Sequence, residues 1–176
     1  KSAAACRFIS AFTFKGYVEL SDQLQRYDRA VILSSSCGLD SLFCSMVKDI
    51  AQEEGVFSLS YLNPLMPEKI DHIALPDASL IFISKSALAG KTQVSGHSVN
   101  LDTLVDRARV KEIKALKKAL KKPATLILES AKAELEMAKS LHDQLEKAYN
   151  PYVDFGSVYA LSDKYYEKIS GAKNHL

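Results

Sequence analysis

Apolar residues in the first half of the chain form short runs of strand length with one helical stretch among them. The runs "AVILS", "VFSLSYL" and "SLIFIS" are continuous and rich in β-branched residues, which is typical of strands buried on both faces. "CRFISAFTFKG" alternates and ends in a turn at Lys15-Gly16, and "DHIALP" is short and extended. After "AVILS", Gly55 follows apolar positions at helical spacing, namely Leu39, Leu42, Phe43, Met46, Val47 and Ile50. This order predicts a compact α/β layer with a parallel sheet.

Two other stretches predict connections between these elements. "YVELSDQLQRY" places Val18, Leu20 and Leu24 at spacings that favour a short helix. "KSALAGKTQVSGHSVN" has two glycines and little periodicity, so it is expected to be a loop. Lys91 in "AGKTQ" is compared with a second anion-binding loop, but the upstream glycine and strand are missing, and a mobile loop is favoured.

From Leu101 onward the apolar pattern changes to two long helical stripes. Pro123 separates the stripes and Asn150-Pro151 ends the second. Two helices of about 20 and 25 residues joined at Lys122-Pro123 predict a long antiparallel helical hairpin over 101–149. "TLILE" could alternatively be a short strand. A C-terminal helix is predicted at 156–170, where clustered tyrosines favour packing on the sheet over a partner surface.

Composition places the chain among ordinary globular proteins. With 176 residues, 47% hydrophobic and 25% charged, one domain over 1–176 is expected. A net charge of +2 indicates neither a nucleic-acid nor a membrane partner for the whole molecule. No apolar run approaches the roughly 20 residues that span a bilayer. Three cysteines fit no disulfide pattern, so we expect free thiols in a reducing cytoplasm.

The stretch "VILSSSCGLDSLF", Val31 to Phe43, has the order of a phosphate-binding loop: strand, small residues, helix. A working loop has Gly, four residues, then Gly-Lys-Ser/Thr, whose Lys neutralises phosphate and whose hydroxyl binds magnesium. Laid on that pattern without gaps, Asp40 takes the place of the Lys, and only Ser41 matches. At about 4 Å each unit of charge is worth about 1 kcal/mol in water and about 4 kcal/mol at a protein-like dielectric. The change of two units therefore disfavours a nucleotide.

Two further expectations follow for this loop. The Asp40 carboxylate, in the first turn of the helix, is expected to satisfy the helix N-terminus in place of a bound phosphate. The strand "SLIFIS" ends in Ser84 and Lys85, so the acid that would hold magnesium at the end of a neighbouring strand is missing. Both features disfavour ATP hydrolysis.

Four segments in this order resemble a family of largely uncharacterised bacterial P-loop ATPase-like proteins with two tandem P-loop halves. They are "RFISAFTFKGYVE", "VILSSSCGLDSLF", "KIDHIALPDASLIFIS" and "AKSLHDQLEKAYNPYVDF". The resemblance spans about Arg7 to Ile169, which is one half of such a protein. It implies a P-loop NTPase-like fold, in which helices layer a parallel sheet, with a long helical hairpin.

Carried over by position, the resemblance implies a candidate nucleotide or anion site with the family's Lys replaced and one residue deleted. Its residues are Ser35, Ser36, Cys37, Gly38, Asp40 and Ser41. The departure at Asp40 puts nucleotide activity in doubt and leaves the fold unaffected. Other residues match the family without an assigned role: Lys15, Gly16, Asp71, His72, Pro76, His142, Asp143 and Asp154.

Other reactive side chains give weaker signals. A helix N-terminus can lower the pKa of the Cys37 thiol, but a cysteine phosphatase needs an Arg where Phe43 stands, so a buried thiol is favoured. The four histidines match no zinc spacing, and no metal site or catalytic residue is predicted; they are His72, His97, His142 and His175.

The stretch "RARVKEIKALKKALKK" provides a candidate basic surface for nucleic-acid phosphates or an acidic partner. Its basic residues include Arg107, Arg109, Lys111, Lys114, Lys118, Lys121 and Lys122. No aromatic residue lies within the stretch for base stacking, so a solvated helix face is favoured.

The sequence predicts a non-catalytic, P-loop-like structural or interaction domain that has lost nucleotide hydrolysis. One alternative is weak ATP or GTP binding or slow hydrolysis with magnesium, the only case in which a cofactor is expected. A second alternative is binding of nucleic acid or an acidic partner by the basic helix. The expected partners are an unidentified protein or the missing second P-loop half, and a homo-oligomer is another candidate; a membrane is excluded and nucleic acid is disfavoured.

Overall fold

A computed structural model describes residues 4–87 and 94–172, and its centre is a six-stranded sheet. The spatial order is β1-β5-β6-β7-β4-β8. Its strands are β1 (Ala4–Arg7), β4 (Arg29–Ser34), β5 (Ser58–Leu62), β6 (Ile70–Leu75), β7 (Leu80–Ser84) and β8 (His97–Asn100). The α/β class is confirmed, but the sheet is only mostly parallel, because β6 runs antiparallel to both β5 and β7. The short links on either side of β6 allow this reversal, whereas a parallel connection needs a longer crossover.

A separate two-stranded hairpin follows β1 and pairs β2 (Ser10–Thr13) with β3 (Gly16–Glu19). Its turn uses Gly16 at φ +85°, a conformation that glycine adopts without a steric penalty. The helix predicted for "YVELSDQLQRY" is therefore wrong for its first residues, since Tyr17 and Val18 extend the hairpin. A short 3₁₀ helix covers Ser21–Arg26 and buries Leu24.

Helix α1 (Leu39–Glu53) covers one face of the sheet, as its apolar spacing predicts. Cys44 lies in a core cluster with Leu33 and Ile73, against which Phe43 and Val47 pack. Gly55, at φ +73°, ends the helix as expected. On the opposite face a second cluster includes Ile9, Leu24, Tyr61, Ala74, Ile81 and Ile83. The sheet is thus covered on both faces by apolar residues.

Strand β8 pairs with β4 in parallel, with Val31 opposite His97. The prediction of a loop over 85–100 is therefore wrong for His97–Asn100, whose pattern is too short to be recognised as a strand. Lys91 lies outside the described residues. Gly96 approaches β4 so closely that a Cβ atom there would lie 2.4 Å from the Ala30 carbonyl oxygen. Only a residue without a side chain fits at this junction.

One continuous helix, α2 (Arg107–Tyr149), replaces the predicted hairpin. Pro123 lies inside this 43-residue helix. Proline removes one backbone hydrogen bond and usually bends a helix, but strong helix formers on both sides favour continuation. At this exposed position water can satisfy the released carbonyl group, so Pro123 does not end the helix. The strand considered for "TLILE" is also helical.

The contacts divide the chain into two units, Lys1–Leu135 and Glu136–Leu176. The first contains the sheet, and the second contains the end of α2 and helix α3 (Phe155–Ala172). Helix α3 confirms the C-terminal helix predicted at 156–170. Its aromatic side chains do not form a core: Tyr159, Tyr165 and Tyr166 are all more than half exposed. A single domain over 1–176 stays a prediction.

Candidate functional site

The loop between β4 and α1 lies at the carboxyl ends of the neighbouring parallel strands β4, β7 and β8. Such edges hold the ligands of open α/β sheets because the loops there face a shared crevice. A polar cavity of about 360 Å³ opens at this edge. Its lining residues are Ser34, Ser35, Ser36, Lys85, Ser86, Asn100 and Asp102.

The side chain of Asp102 occupies the loop. The Ser36 backbone N–H donates to Asp102 Oδ1 at 2.6 Å, and the Ser36 hydroxyl donates to Asp102 Oδ2 at 2.7 Å. The Ser35 hydroxyl lies 3.4 Å from Oδ1, and Lys114 Nζ lies 3.5 Å from Oδ2. Hydrogen bonds from the Ser36 hydroxyl and backbone lower the pKa of the Asp102 carboxyl. An acidic side chain of the chain itself thus holds the loop.

Asp102 is presented to the loop by the short segment that follows β8. Asn100 ends β8, and its side-chain oxygen accepts the Asp102 backbone N–H at 3.0 Å. This contact begins a 3₁₀ helix, Leu101–Leu104, whose Leu101 is buried in the core beneath. Because β8 lies next to β4, the carboxylate reaches the loop directly. The sequence contains "NLD", a capping signal, but nothing that indicates which loop the carboxylate would reach.

Two further backbone N–H groups of the loop are satisfied by a side chain of the loop itself. The Ser35 hydroxyl accepts the backbone N–H groups of Cys37 and Leu39 at 3.0 and 3.2 Å. Gly38 precedes α1 in the left-handed region, at φ +77°. The hydroxyl of Ser35 therefore does at the start of α1 what a capping side chain does elsewhere.

Asp40 does not cap α1, which corrects the expectation that its carboxylate fills the loop. It is 3% exposed, and its Oδ2 accepts hydrogen bonds from the hydroxyls of Ser84 and Ser86, the latter at 2.7 Å. Asp40 is the second residue of α1. Its carboxylate lies at the end of β7 and not on the backbone N–H groups of the first helical turn. Ser84 stands where an acid would be needed to hold magnesium, and here it binds an acid.

His72, on β6, continues this polar cluster into the sheet. Its Nδ1 accepts the Ser84 backbone N–H at 3.2 Å, so the neutral ring carries its proton on Nε2. Nε2 lies 3.9 Å from Glu19 Oε1, and both side chains are 2% exposed. Burial lowers the pKa of His72 to about 4. The ring accepts from the backbone of Ser84, not from its hydroxyl, so this geometry does not activate Ser84 as a nucleophile.

Asp71, which also matches the resemblance, accepts two hydrogen bonds from the Asn63 side chain, at 3.2 and 3.1 Å. Burial raises the pKa of its carboxyl. Together with Asp40 and His72 it forms a buried polar cluster. Sequence reasoning assigned Asp71 and His72 no role; the only signal was this polar pair inside a short apolar strand.

The other predicted site residues are dispersed. Cys37 is a half-buried free thiol, and Cys44 is a buried one whose pKa burial raises to about 12. The backbone carbonyl of Ser41 accepts the Ser45 hydroxyl at 3.1 Å inside α1. Within 4–87 and 94–172, no three His, Cys, Asp or Glu side chains are grouped as metal ligands.

The predicted basic surface forms the exposed first part of α2. Two of its members form ion pairs: Arg109 with Glu112 at 3.0 Å and Lys114 with Asp102. His142 Nε2 lies 3.0 Å from Glu146 Oε1, one helical turn away on the surface of α2. His175 lies outside the described residues. Binding of nucleic acid by this surface stays a prediction.

Comparisons with known proteins returned no match among family models, curated proteins or solved structures. None of the described helices is long and apolar enough to cross a membrane.

Proposed function

We propose that this chain is a non-catalytic, P-loop-like structural or interaction domain, one half of a tandem P-loop ATPase-like protein. The observation that carries the proposal is the Asp102 carboxylate on the Ser36 amide and hydroxyl. In a working loop these groups would face a phosphate. In this chain an internal anion takes that place.

Besides occupying the place of a phosphate, the Asp102 carboxylate would repel one electrostatically. A phosphate next to Asp102 would bring two negative groups within a few ångströms, which costs about 4 kcal/mol per unit charge at about 4 Å near a protein surface. Asp40 stands in the position of the missing Lys and is held by serine hydroxyls. Each of these features disfavours nucleotide hydrolysis, and they act independently.

Single-turnover hydrolysis of ATP and GTP with magnesium, with protein in excess over nucleotide, tests the proposal. We expect no release of phosphate above the background. Turnover that is lost in Ser41→Ala would contradict the proposal, because Ser41 is the residue that matches the magnesium-binding hydroxyl.

A second candidate, weak anion or nucleotide binding, is favoured by Lys85, a cation that lines the cavity next to Ser36. The two candidates differ in the effect of Asp102→Asn, which removes the internal charge. If the chain is a non-catalytic domain whose loop is occupied by Asp102, millimolar ATP, GTP or phosphate leaves the melting temperature of the native chain unchanged. If the chain binds anions weakly, the same ligands raise it. A shift that appears only in Asp102→Asn would identify Asp102 as the barrier to anion binding. Asp77→Asn, an exposed change of equal charge, is the matched control.

A further inference from the structure

The first part of α2 collects its positive charges on one side of the helix. Residues 107–122 contain eight cations and one acid, Glu112. At about 100° per residue, seven of the eight cations lie within an arc of about 140° around the helix axis. The eighth, Arg109, lies on the other side, where it pairs with Glu112 at 3.0 Å. The continuous helix thus has a face, the basic arc, whose charges are all positive.

Six of the seven cations of the basic arc lack an acidic partner among the described residues. The seventh, Lys114, pairs with Asp102 at 3.5 Å and is still 58% exposed. Like charges one helical turn apart destabilise a helix, and the pairs Lys114–Lys118 and Lys118–Lys122 have this spacing. An anionic partner would remove that repulsion. The six cations without an acidic partner are Arg107, Lys111, Lys117, Lys118, Lys121 and Lys122.

The shape of this segment fits a groove of a nucleic-acid duplex. Every residue from 114 to 130 is exposed, and all of them belong to the unit Lys1–Leu135. An α-helix is about 10–12 Å across, which matches the roughly 12 Å wide major groove of B-form DNA. Lys117 and Lys111 lie at opposite margins of the basic arc, so a helix in this groove would present cations to the phosphates of both strands. The major groove of an RNA duplex is too narrow for side chains to enter.

The residue types of the basic arc distinguish between classes of anionic partner. Protein interfaces are depleted in lysine and enriched in aromatic residues, whereas lysine and arginine commonly contact the phosphates of DNA. No aromatic residue lies within 107–122, so the bases of a single strand would have nothing to stack on. An anionic membrane would take up Leu116 and Leu120, which lie about 170 and 130° from the centre of the arc, and the cations would then point into water.

We infer that the basic arc of α2 binds duplex DNA through its phosphates, with the helix in the major groove and without selection of a base sequence. The inference rests on the interaction role proposed above and names the class of partner. DNA binding is measured without ATP or GTP, so its failure is distinguishable from a failure of the hydrolysis experiment.

Fluorescence anisotropy of a labelled DNA duplex of about 20 base pairs, titrated with the full chain at about 50 to 300 mM salt, tests the inference. Contact with six phosphates predicts a slope of about −5 when the logarithm of the association constant is plotted against that of the salt concentration. Lys118→Gln should reduce the magnitude of this slope by about 1 and weaken binding about eightfold near 0.1 M salt. Adding Lys121→Gln should reduce the slope by about 1 again.

Arg109→Gln is the matched control, because it removes one positive charge from the same segment on the side away from the basic arc. It should leave the slope unchanged, and glutamine has nearly the helix propensity of lysine and arginine, so circular dichroism should show equal helix content in all variants. Absence of binding at about 50 mM salt, or a slope near zero, would overturn the inference. Equal effects of Lys118→Gln and Arg109→Gln would overturn it as well. Tighter binding to an RNA duplex, a single strand, polyglutamate or anionic lipid vesicles would contradict duplex DNA as the partner.

Discussion

The carboxyl edge of the sheet and the long helix α2 differ in whether their side chains have partners within the chain. At the edge, Asp102 binds Ser36 and Asp40 binds Ser84, so the polar groups of the loop are satisfied from within the chain. Along α2, Leu116 and Ile127 remain exposed. The two regions thus differ in how their side chains are paired: polar groups at the sheet edge have partners within the chain, whereas these apolar side chains of α2 face solvent.

The largest expected difference between the two regions is in unfolding free energy. Ile73 is completely buried in β6, so Ile73→Ala should lower stability by about 2–5 kcal/mol through lost burial and a residual cavity. Leu126→Ala on α2 should change it by less than about 0.5 kcal/mol. Urea unfolding of both variants measures this contrast, and similar losses would show that α2 is packed as tightly as the sheet.

Acid should weaken the sheet region through His72. Burial lowers the pKa of His72 from 6.5 to about 4, so the unfolded chain takes up its proton first as pH falls. Above about pH 6.5 the neutral ring makes its full contribution to the free energy of unfolding. Between about pH 6.5 and 4 that free energy falls by up to about 3 kcal/mol.

His72→Gln should remove this part of the pH dependence, as measured by urea unfolding at several pH values. His97→Gln, at an exposed position on β8, should not. If both variants titrate like the native chain, another group is responsible for the loss at low pH.

Asp40→Ala tests the smaller effect of the buried carboxylate. Its loss leaves the hydroxyls of Ser84 and Ser86 without this acceptor, which should lower the unfolding free energy by about 1–3 kcal/mol. Asp40→Asn keeps an acceptor and should lose less. Asp49→Ala, on the same helix and 65% exposed, is the matched control in thermal or urea unfolding.

The smallest effect is expected at Asp102. Hydrogen bonds from Ser36 lower its pKa, so its contribution to stability is present above the unfolded pKa and is lost as pH falls through the folded value. Asp102→Asn should therefore lower stability slightly at neutral pH and flatten the acid limb of the unfolding profile to the same small extent. An unchanged acid limb would show that the contact with Ser36 does not persist in solution.

Local patterns predicted most of the elements correctly. Continuous apolar runs identified β4, β5 and β7, and helical spacing with Gly55 identified α1. The prediction of a helical hairpin over 101–149 is wrong because Pro123 was treated as a helix break. A proline on an exposed helix removes only one hydrogen bond. Strand β8 was missed because its four residues are too few to show a hydrophobic periodicity.

For the loop after β4, the sequence predicted that a negative charge would lie there, but not which residue would supply it. The sequence indicated that an acid replaces the cation, but it assigned the filling of the loop to Asp40, the nearest acid along the chain. The structure assigns it to Asp102, which is 66 residues away from Ser36. That contact depends on β8 lying next to β4, a pairing that no local pattern contains.

The close approach of Gly96 to Ala30 therefore governs more than the start of a strand. Any larger residue at 96 would push β8 away from β4, and Asn100 and Asp102, which follow on the same segment, would move with it. A chain with a side chain at position 96 would present an open loop. The absence of a side chain at position 96 is therefore a condition for the contact between Asp102 and the loop after β4.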